Sequence, residues 1–260
     1  MQQSIWDKDD DFPSFPKLEG DIKTDVLVIG GGICGVLCAW FLEQAGVDYV
    51  LVEGDTVGRG VTCNTTAKIT SQHGLIYEKL LRTQGKEKAF QYLDANQWAL
   101  GKYRELAEEI ECDFEEKDAF VYTVTDWRKI EQEVQALEAL GFPAEFVQQI
   151  NLPFETEGAV KFPHQAQFQP RKFLAYISRD LNIYEHTFVR ELAPGCARYD
   201  RGTITAGQMI AATHFPFLNK HGAYFLKLYQ HRSYVMALKD GPDVEGMYVD
   251  EAQKGMSVSY

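Results

Sequence analysis

Apolar positions in this chain follow two periods, and near the start they alternate in the order strand, helix, strand. Residues 25–30, DVLVIG, form an apolar run suited to a strand buried on both faces. Beyond three glycines a second apolar stretch takes up the helical period at about Ile33 and stops at Gly46, a helix C-cap signal. Residues 47–52 predict a second strand, which ends in Glu53. Residues 54–74, GDTVGRGVTCNTTAKITSQHG, hold neither period and predict a long loop, a kind of segment that often carries function. Over residues 85–111, Ala89, Leu93, Leu100, Tyr103, Leu106 and Ile110 predict one amphipathic helix. A strand at 119–124 follows, then a helix marked by Ile130, Val134, Leu137 and Leu140 and closed by Gly141 and Pro143.

Further along, residues 161–170, KFPHQAQFQP, predict a turn-bounded segment carrying the amides of Gln165 and Gln167. Pro170 then opens a helix to about residue 181. Residues 183–186 predict a short strand and 209–212 a buried parallel one. Over 231–239, Tyr234, Met236 and Leu238 alternate with Ser233, Val235 and Ala237, which predicts a strand partly buried on both faces. Residues 257–260 read as a final strand, and there is no internal repeat.

The glycines between the first strand and helix add chemistry to this pattern. Gly30, Gly32 and Gly35 have the G-x-G-x-x-G spacing, in which one glycine makes the turn, one admits a pyrophosphate and one lets helix and strand pack closely. A helix N-terminus directed at the phosphates would supply N–H donors and the positive end of its dipole. Glu53 lies about twenty residues on, where ribose hydroxyls are read. Its charge would repel a 2′-phosphate, which disfavours NADP and leaves NAD or FAD.

Composition narrows the partners. With 45% hydrophobic and 25% charged residues the chain is of the ordinary globular class, and a formal charge of −12 disfavours nucleic acid and anionic membranes. Its five cysteines, Cys34, Cys38, Cys63, Cys112 and Cys196, lack C-x-x-C spacing and read as reduced thiols in a cytoplasmic protein. Cys34 and Cys38 lie one helical turn apart, and buried small apolar residues are the favoured reading over a redox pair. The six histidines show no metal-ligand spacing, so no metal is expected. Nor is a membrane span: the acidic N-terminus has no signal-peptide pattern, and the uncharged residues 26–42 are too few and are broken by glycines.

Four segments together, VLVIGGGICG, GRGVTCNTTAKITSQHG, FPHQAQFQP and RGTITAGQMIAATHFPF, resemble the FAD-dependent oxidoreductases of the D-amino-acid oxidase (DAO) family. The likeness is strongest to a bacterial branch that often carries a fused Rieske iron–sulfur domain. It implies FAD rather than NAD, and an α/β fold in which a Rossmann-like FAD-binding domain is joined to an α+β substrate domain with a mixed sheet. The expected division is 1–84 and 151–222 for the FAD-binding domain, and 85–150 and 223–260 for the substrate domain. Only Gly241, Gly246 and Gly255 follow Tyr234, and the family's closing Gly-rich segment and Rieske ligands are not found, so we expect a chain truncated at its C-terminus.

Carried onto this sequence, the resemblance gives Gly30, Gly32, Ile33 and Gly35 the FAD pyrophosphate and Glu53 the adenosine ribose. Arg59, Gly60, Thr65, Thr66, Ala67 and Lys68 would follow the pyrophosphate, ribityl chain and ring edge. The Val189 backbone would meet adenine, and Ala212 and Thr213 would end the strand beside the cofactor, with His214 where the family more often has glycine. Lys68 reads as a stabiliser of negative charge on the reduced ring or as a surface lysine, and Thr65 and Thr66 as cofactor donors or loop caps. The implied reaction is oxidation of the C–N bond of an amino acid or other amine by hydride transfer to flavin. Alternatives are a non-catalytic flavin-binding fragment and an NAD-dependent dehydrogenase. Such a transfer needs orientation more than a dedicated acid or base, so no catalytic residue is assigned. Pocket candidates are Gln72 and His73 beside Ser71, Gln165 and Gln167, and Arg232 and Tyr234. Arg232 reads as a bidentate clamp for a carboxylate or as a structural ion pair. For His73, His164 and His231, hydrogen-bonded packing is favoured over catalysis.

Overall fold

In the computed structural model, residues 4–8, 12–215, 217, 223–231, 233–241, 243–252 and 255–259 are described. The first elements are β1 (Ile22–Ile29), α1 (Ile33–Gln44) and β2 (Tyr49–Val52), in the predicted order. The loop after β2 contains a single 3-10 turn (Thr62–Asn64) and a two-residue strand, β3 (Lys68–Ile69). Next come α2 (Tyr77–Gln84), α3 (Lys86–Ala107), β4 (Glu115–Thr123), α4 (Trp127–Ala139), β5 (Glu145–Val147) and β6 (Gly158–Gln167). The remainder comprises α5 (Pro170–Ile177), β7 (Ile183–Tyr184), β8 (Val189–Ala193), β9 (Cys196–Tyr199), β10 (Gly202–Ala211), α6 (Tyr224–Lys227), β11 (Met247–Asp250) and β12 (Ser257–Val258).

These elements form two units: residues 1–65 with 170–237, and residues 66–169 with 238–260. The first has a sheet of order β7-β2-β1-β10-β9-β8. β7, β2, β1 and β10 run parallel, and β9 and β8 extend the sheet as an antiparallel meander. Leu27, Val28, Val36 and Leu51 are fully buried. Each leucine contributes about 2 kcal/mol of transfer free energy. The second unit has a mixed sheet of order β12-β11-β4-β6-β3, with β5 also paired to β6. Ile130 and Leu137 of α4 pack with Val160, Phe162 and Met247 in its main core.

Several predicted elements are corrected. Residues 161–170 are largely strand: β6 pairs with β4 from Glu115↔Gln167 to Thr123↔Gly158. Pro163 hid this, because a proline inside a central strand normally argues against one. Here it sits in a bulge, where Pro163 and His164 oppose the single residue Asp118. The helix foreseen over 85–111 is α3, which ends earlier, at Ala107; α2 before it was not foreseen and is set off from it by Gly85 at φ +82°, a left-handed conformation that suits glycine. Residues 209–212 are half-buried or exposed: Met209, Ile210 and Ala211 pair with β1, whereas β9 pairs only with residues 202–205 of β10. Of the strand foreseen over 231–239, the described residues 231 and 233–239 are irregular, and no described strand pairs with them. The unit boundaries fall at 65/66, 169/170 and 237/238 rather than 84/85, 150/151 and 222/223, because β3 and β6 belong to the second sheet. Cys34 is exposed and Cys38 half-buried, so neither is the buried apolar residue foreseen. No helix among the described residues is long and apolar enough to cross a membrane.

Candidate functional site

In the first unit the site is built on the turn between β1 and α1. Gly30 has φ +110°, and a Cβ there would stand 2.6 Å from the Ala212 carbonyl oxygen. At Gly35 a Cβ would stand 1.8 Å from the Gly30 oxygen. Gly30 is thus required by the turn and Gly35 by close packing. Gly32 differs: a Cβ there would approach only the Thr62 hydroxyl, at 3.2 Å, so the missing side chain leaves space at the start of α1. That combination of two packing glycines and one that keeps backbone accessible fits a pyrophosphate at a helix N-terminus.

Glu53 stands at the mouth of this turn. Its Oε2 accepts the Gly31 N–H at 2.6 Å and its Oε1 accepts the Asp55 N–H at 2.8 Å. A carboxylate has about four lone-pair directions, so two remain for hydroxyl donors. The loop is fastened to the turn by the Gly58 N–H donating to the Gly31 oxygen at 2.9 Å. Arg59 and Gly60 are exposed at its tip, and the Thr65 oxygen accepts the Trp6 indole N–H at 2.9 Å. Thr62, missed in the sequence, is buried, and its Oγ1 accepts the Ile33 N–H of the first turn of α1 at 3.2 Å. The signal for it was a hydroxyl residue in a loop that must return to a helix N-terminus.

Val189 is buried at the start of β8, beside a register shift in its pairing with β9. Ala212 donates its N–H to the Ile29 oxygen at 2.8 Å, which brings the end of β10 beside Gly30. The Thr213 hydroxyl donates to the Phe215 oxygen at 3.0 Å. His214 has φ +61°, a backbone conformation suited to the glycine more usual there in the resembled family.

The second unit holds the other predicted residues. Thr66 is exposed, and Ala67 is buried at φ +58°. Lys68 donates to the Ser257 hydroxyl at 2.5 Å, and burial lowers its ammonium pKa from 10.5 to about 8. Ser71, Gln72 and Gln165 are buried together. Gln165 Oε1 accepts the Ser71 N–H at 2.7 Å and its hydroxyl at 3.2 Å, while Gln165 Nε2 donates to the Pro163 oxygen at 2.9 Å. Gln97 Nε2 donates to Ser71 Oγ at 2.6 Å, and the Tyr77 hydroxyl donates to the Ser71 oxygen at 2.5 Å. Gln97 and Tyr77, both missed in the sequence, thus complete a polar network that fixes residues 70–73. Glu133, wholly buried, accepts the N–H groups of Tyr77 and Glu78, both at 2.8 Å, at the start of α2. Burial raises its carboxyl pKa, with these donors opposing the shift.

His73 Nδ1 lies 2.9 Å from the Tyr92 hydroxyl, and desolvation lowers its imidazole pKa. Gln167 Nε2 donates to Glu115 at 2.8 Å near the end of β6, away from the Ser71 hydrogen bonds. His164 points outward, 2.6 Å from Glu116. Tyr234 is 87% exposed, on a segment whose described residues form no strand. Arg232 lies outside the described residues.

Residues 25–256 match the DAO family, FAD-dependent oxidoreductases. This chain belongs to that family. Its membership sets aside the NAD-dependent dehydrogenase. A relative from Bacillus subtilis (strain 168), YhfW, named as a Rieske 2Fe-2S iron-sulfur protein, is 34% identical across 99% of this chain and 53% of its own length. The chain therefore spans about half the length of that curated relative. Among solved structures, L-proline dehydrogenase from P. horikoshii aligns with a TM-score of 0.59 at 18% identity, covering 75% of this chain and 54% of that one. Glycine oxidase from Geobacillus kaustophilus gives 0.54 at 20% identity, covering 74% and 55%. L-amino acid deaminase from Proteus vulgaris gives 0.54 at 17%, covering 77% and 50%. At these identities the likeness establishes a shared α/β fold with a Rossmann-like cofactor domain.

Proposed function

We propose that this chain binds FAD and forms part of an oxidoreductase that oxidises the C–N bond of an amino acid or other small amine. The observation that carries the reading is the glycine turn, where Gly30 and Gly35 are fixed by packing and Gly32 leaves the start of α1 open. There the N–H groups of the first turn of α1 beyond Ile33, whose own N–H is held by Thr62, would hold the pyrophosphate and the spare lone pairs of Glu53 the ribose. When bound, flavin would supply a hydride acceptor for the carbon bearing the amine. Lys68 would place positive charge at the ring edge, a charge that fades as pH rises through about 8. The Ser71–Gln165–Gln97 network would keep residues 70–73 rigid, so that Gln72 and His73 present a fixed polar wall to an amine.

Support for the amine substrate comes from the three structural relatives, whose names specify proline, glycine and L-amino acids. The test is the visible spectrum of the dialysed chain before and after FAD is added, followed by anaerobic mixing with a panel of amino acids and amines. Retained flavin bands that bleach with an amine are expected. Retained bands that no amine bleaches would reduce the reading to a flavin-binding chain without turnover, and failure to take up FAD would refute it.

A further inference from the structure

The described residues preceding β1 form no named strand, yet residues 4–6 and 12–18 contact the loop of residues 54–65 and the chain beside it. At one end the Trp6 indole N–H donates to the Thr65 oxygen at 2.9 Å, and the Ser4 hydroxyl donates to the Cys63 oxygen. In the middle the Phe12 ring packs on Gly58, where a Cβ would stand 3.0 Å from it, and the Arg171 guanidinium lies 4.8 Å from the ring centroid. At the other end the Phe15 N–H donates to Glu185 Oε2 at 3.1 Å, and the Leu18 N–H donates to the Thr187 hydroxyl at 3.2 Å. The second oxygen of Glu185 accepts the Val57 N–H of the loop at 2.7 Å. Glu185 is 3% exposed, and its own N–H donates to the Pro16 oxygen at 3.0 Å.

The contacts that reach the loop all fall on its backbone: the segment meets Gly58, Cys63 O and Thr65 O, and Glu185 meets Val57 N. Contacts to backbone fix the course of a loop whatever its side chains are. A carboxylate is a costly group to bury, and Glu185 offsets that cost only by accepting N–H groups from two segments far apart in sequence. Loss of either donor would leave a buried charge underpartnered, so segment and loop are held in place together.

We propose that residues 4–8 and 12–18 act as a strap that holds loop 54–65 in its cofactor-binding form, and that Glu185 is a positioning residue joining the two. The proposal rests on the reading of that loop as part of the FAD site. Because coupling between two equilibria is reciprocal, a strap that favours FAD must itself be tightened by FAD.

The test uses the 260-residue chain with Trp6→Ala, with Glu185→Gln, and with Trp127→Ala on the exposed surface of α4 in the other unit as control. FAD affinity is measured by flavin fluorescence titration, and hydrogen exchange is followed at the amides of Phe15, Leu18 and Val57 with and without FAD. Loss of a hydrogen bond that orders the site should weaken FAD roughly ten-fold in the Trp6 and Glu185 variants and leave the control unchanged. FAD should also slow exchange at those three amides by more than it slows the core amides of β1 and β10, an excess that a merely structural segment would not show. Should Glu185→Gln fail to fold, the partly exposed Trp6 still decides the matter. Unchanged affinity in Trp6→Ala, or exchange insensitive to bound FAD, overturns the strap while leaving the flavin reading intact. An unsubstituted chain that binds no FAD overturns the flavin reading, and the strap with it.

Discussion

Replacing Lys68 with methionine should stabilise the protein near neutral pH and not at high pH. Burial lowers the Lys68 pKa from 10.5 to about 8 in the folded chain, whereas the unfolded chain keeps the ordinary value. Between those two values the unfolded state holds more protons, so stability rises with pH across that window. Below about pH 8 lysine is charged in both states and the folded state carries the whole cost, about 3 kcal/mol. Water still reaches part of the side chain, which reduces the expected value to about 2 kcal/mol. The hydrogen bond to Ser257 is lost in the variant at every pH, so it cancels when the two conditions are compared. The assay is urea unfolding of both proteins near pH 7 and near pH 11, followed by tryptophan fluorescence and circular dichroism. The expected result is a difference between the two mutational effects of about 2 kcal/mol, with the variant favoured near pH 7. Equal effects at the two pH values would refute the argument.

Gly35→Ala and Gly32→Ala should separate packing from ligand approach. The first drives a Cβ into the Gly30 oxygen and should lower the melting temperature measurably, whereas the second should leave it nearly unchanged while weakening FAD at least ten-fold by titration. Thr62→Val removes the hydroxyl that accepts the Ile33 N–H and should cost about 1 kcal/mol, read by chemical denaturation. Glu133→Ala leaves the N–H groups of Tyr77 and Glu78 without their acceptor and should cost about 3 kcal/mol; a change below about 0.5 kcal/mol would contradict the capping role assigned to it.

The opening β–α–β order was legible in the sequence because three signals coincide there: an apolar strand, glycines required by close approach, and an acidic strand end. Signals of a single kind served less well. The alternation at 231–239 predicted a strand, but alternation gives only the faces of a strand and not a partner to pair with, and Tyr234 is exposed. Pro163 concealed β6 because the bulge that accommodates it depends on Asp118, some 45 positions away in sequence. Of the residues around the turn, Gly30, Gly32, Gly35 and Glu53 announce themselves by spacing. Thr62, Gln97 and Glu185 do not, since each acts on a backbone or side-chain group made adjacent only by folding. Tyr77 was hidden for a related reason, because Gly85 breaks the helical period and α2 is too short to show one of its own.

The pairing of β3 with β6 bears on how the chain folds. Lys68 and Gln167 are register partners, so the segment between them begins and ends at neighbouring points. Partnering β1 with β10 in the first sheet joins residues about 180 positions apart, a separation that would normally slow folding through the entropy of closing so long a loop. Once the intervening segment has folded, its paired ends shorten that loop to a few effective links. With β3 and β6 paired, the parallel sheet can close with the kinetics of a much more local contact, even though β11, which completes the second sheet beside β4, comes from beyond β10 in the chain.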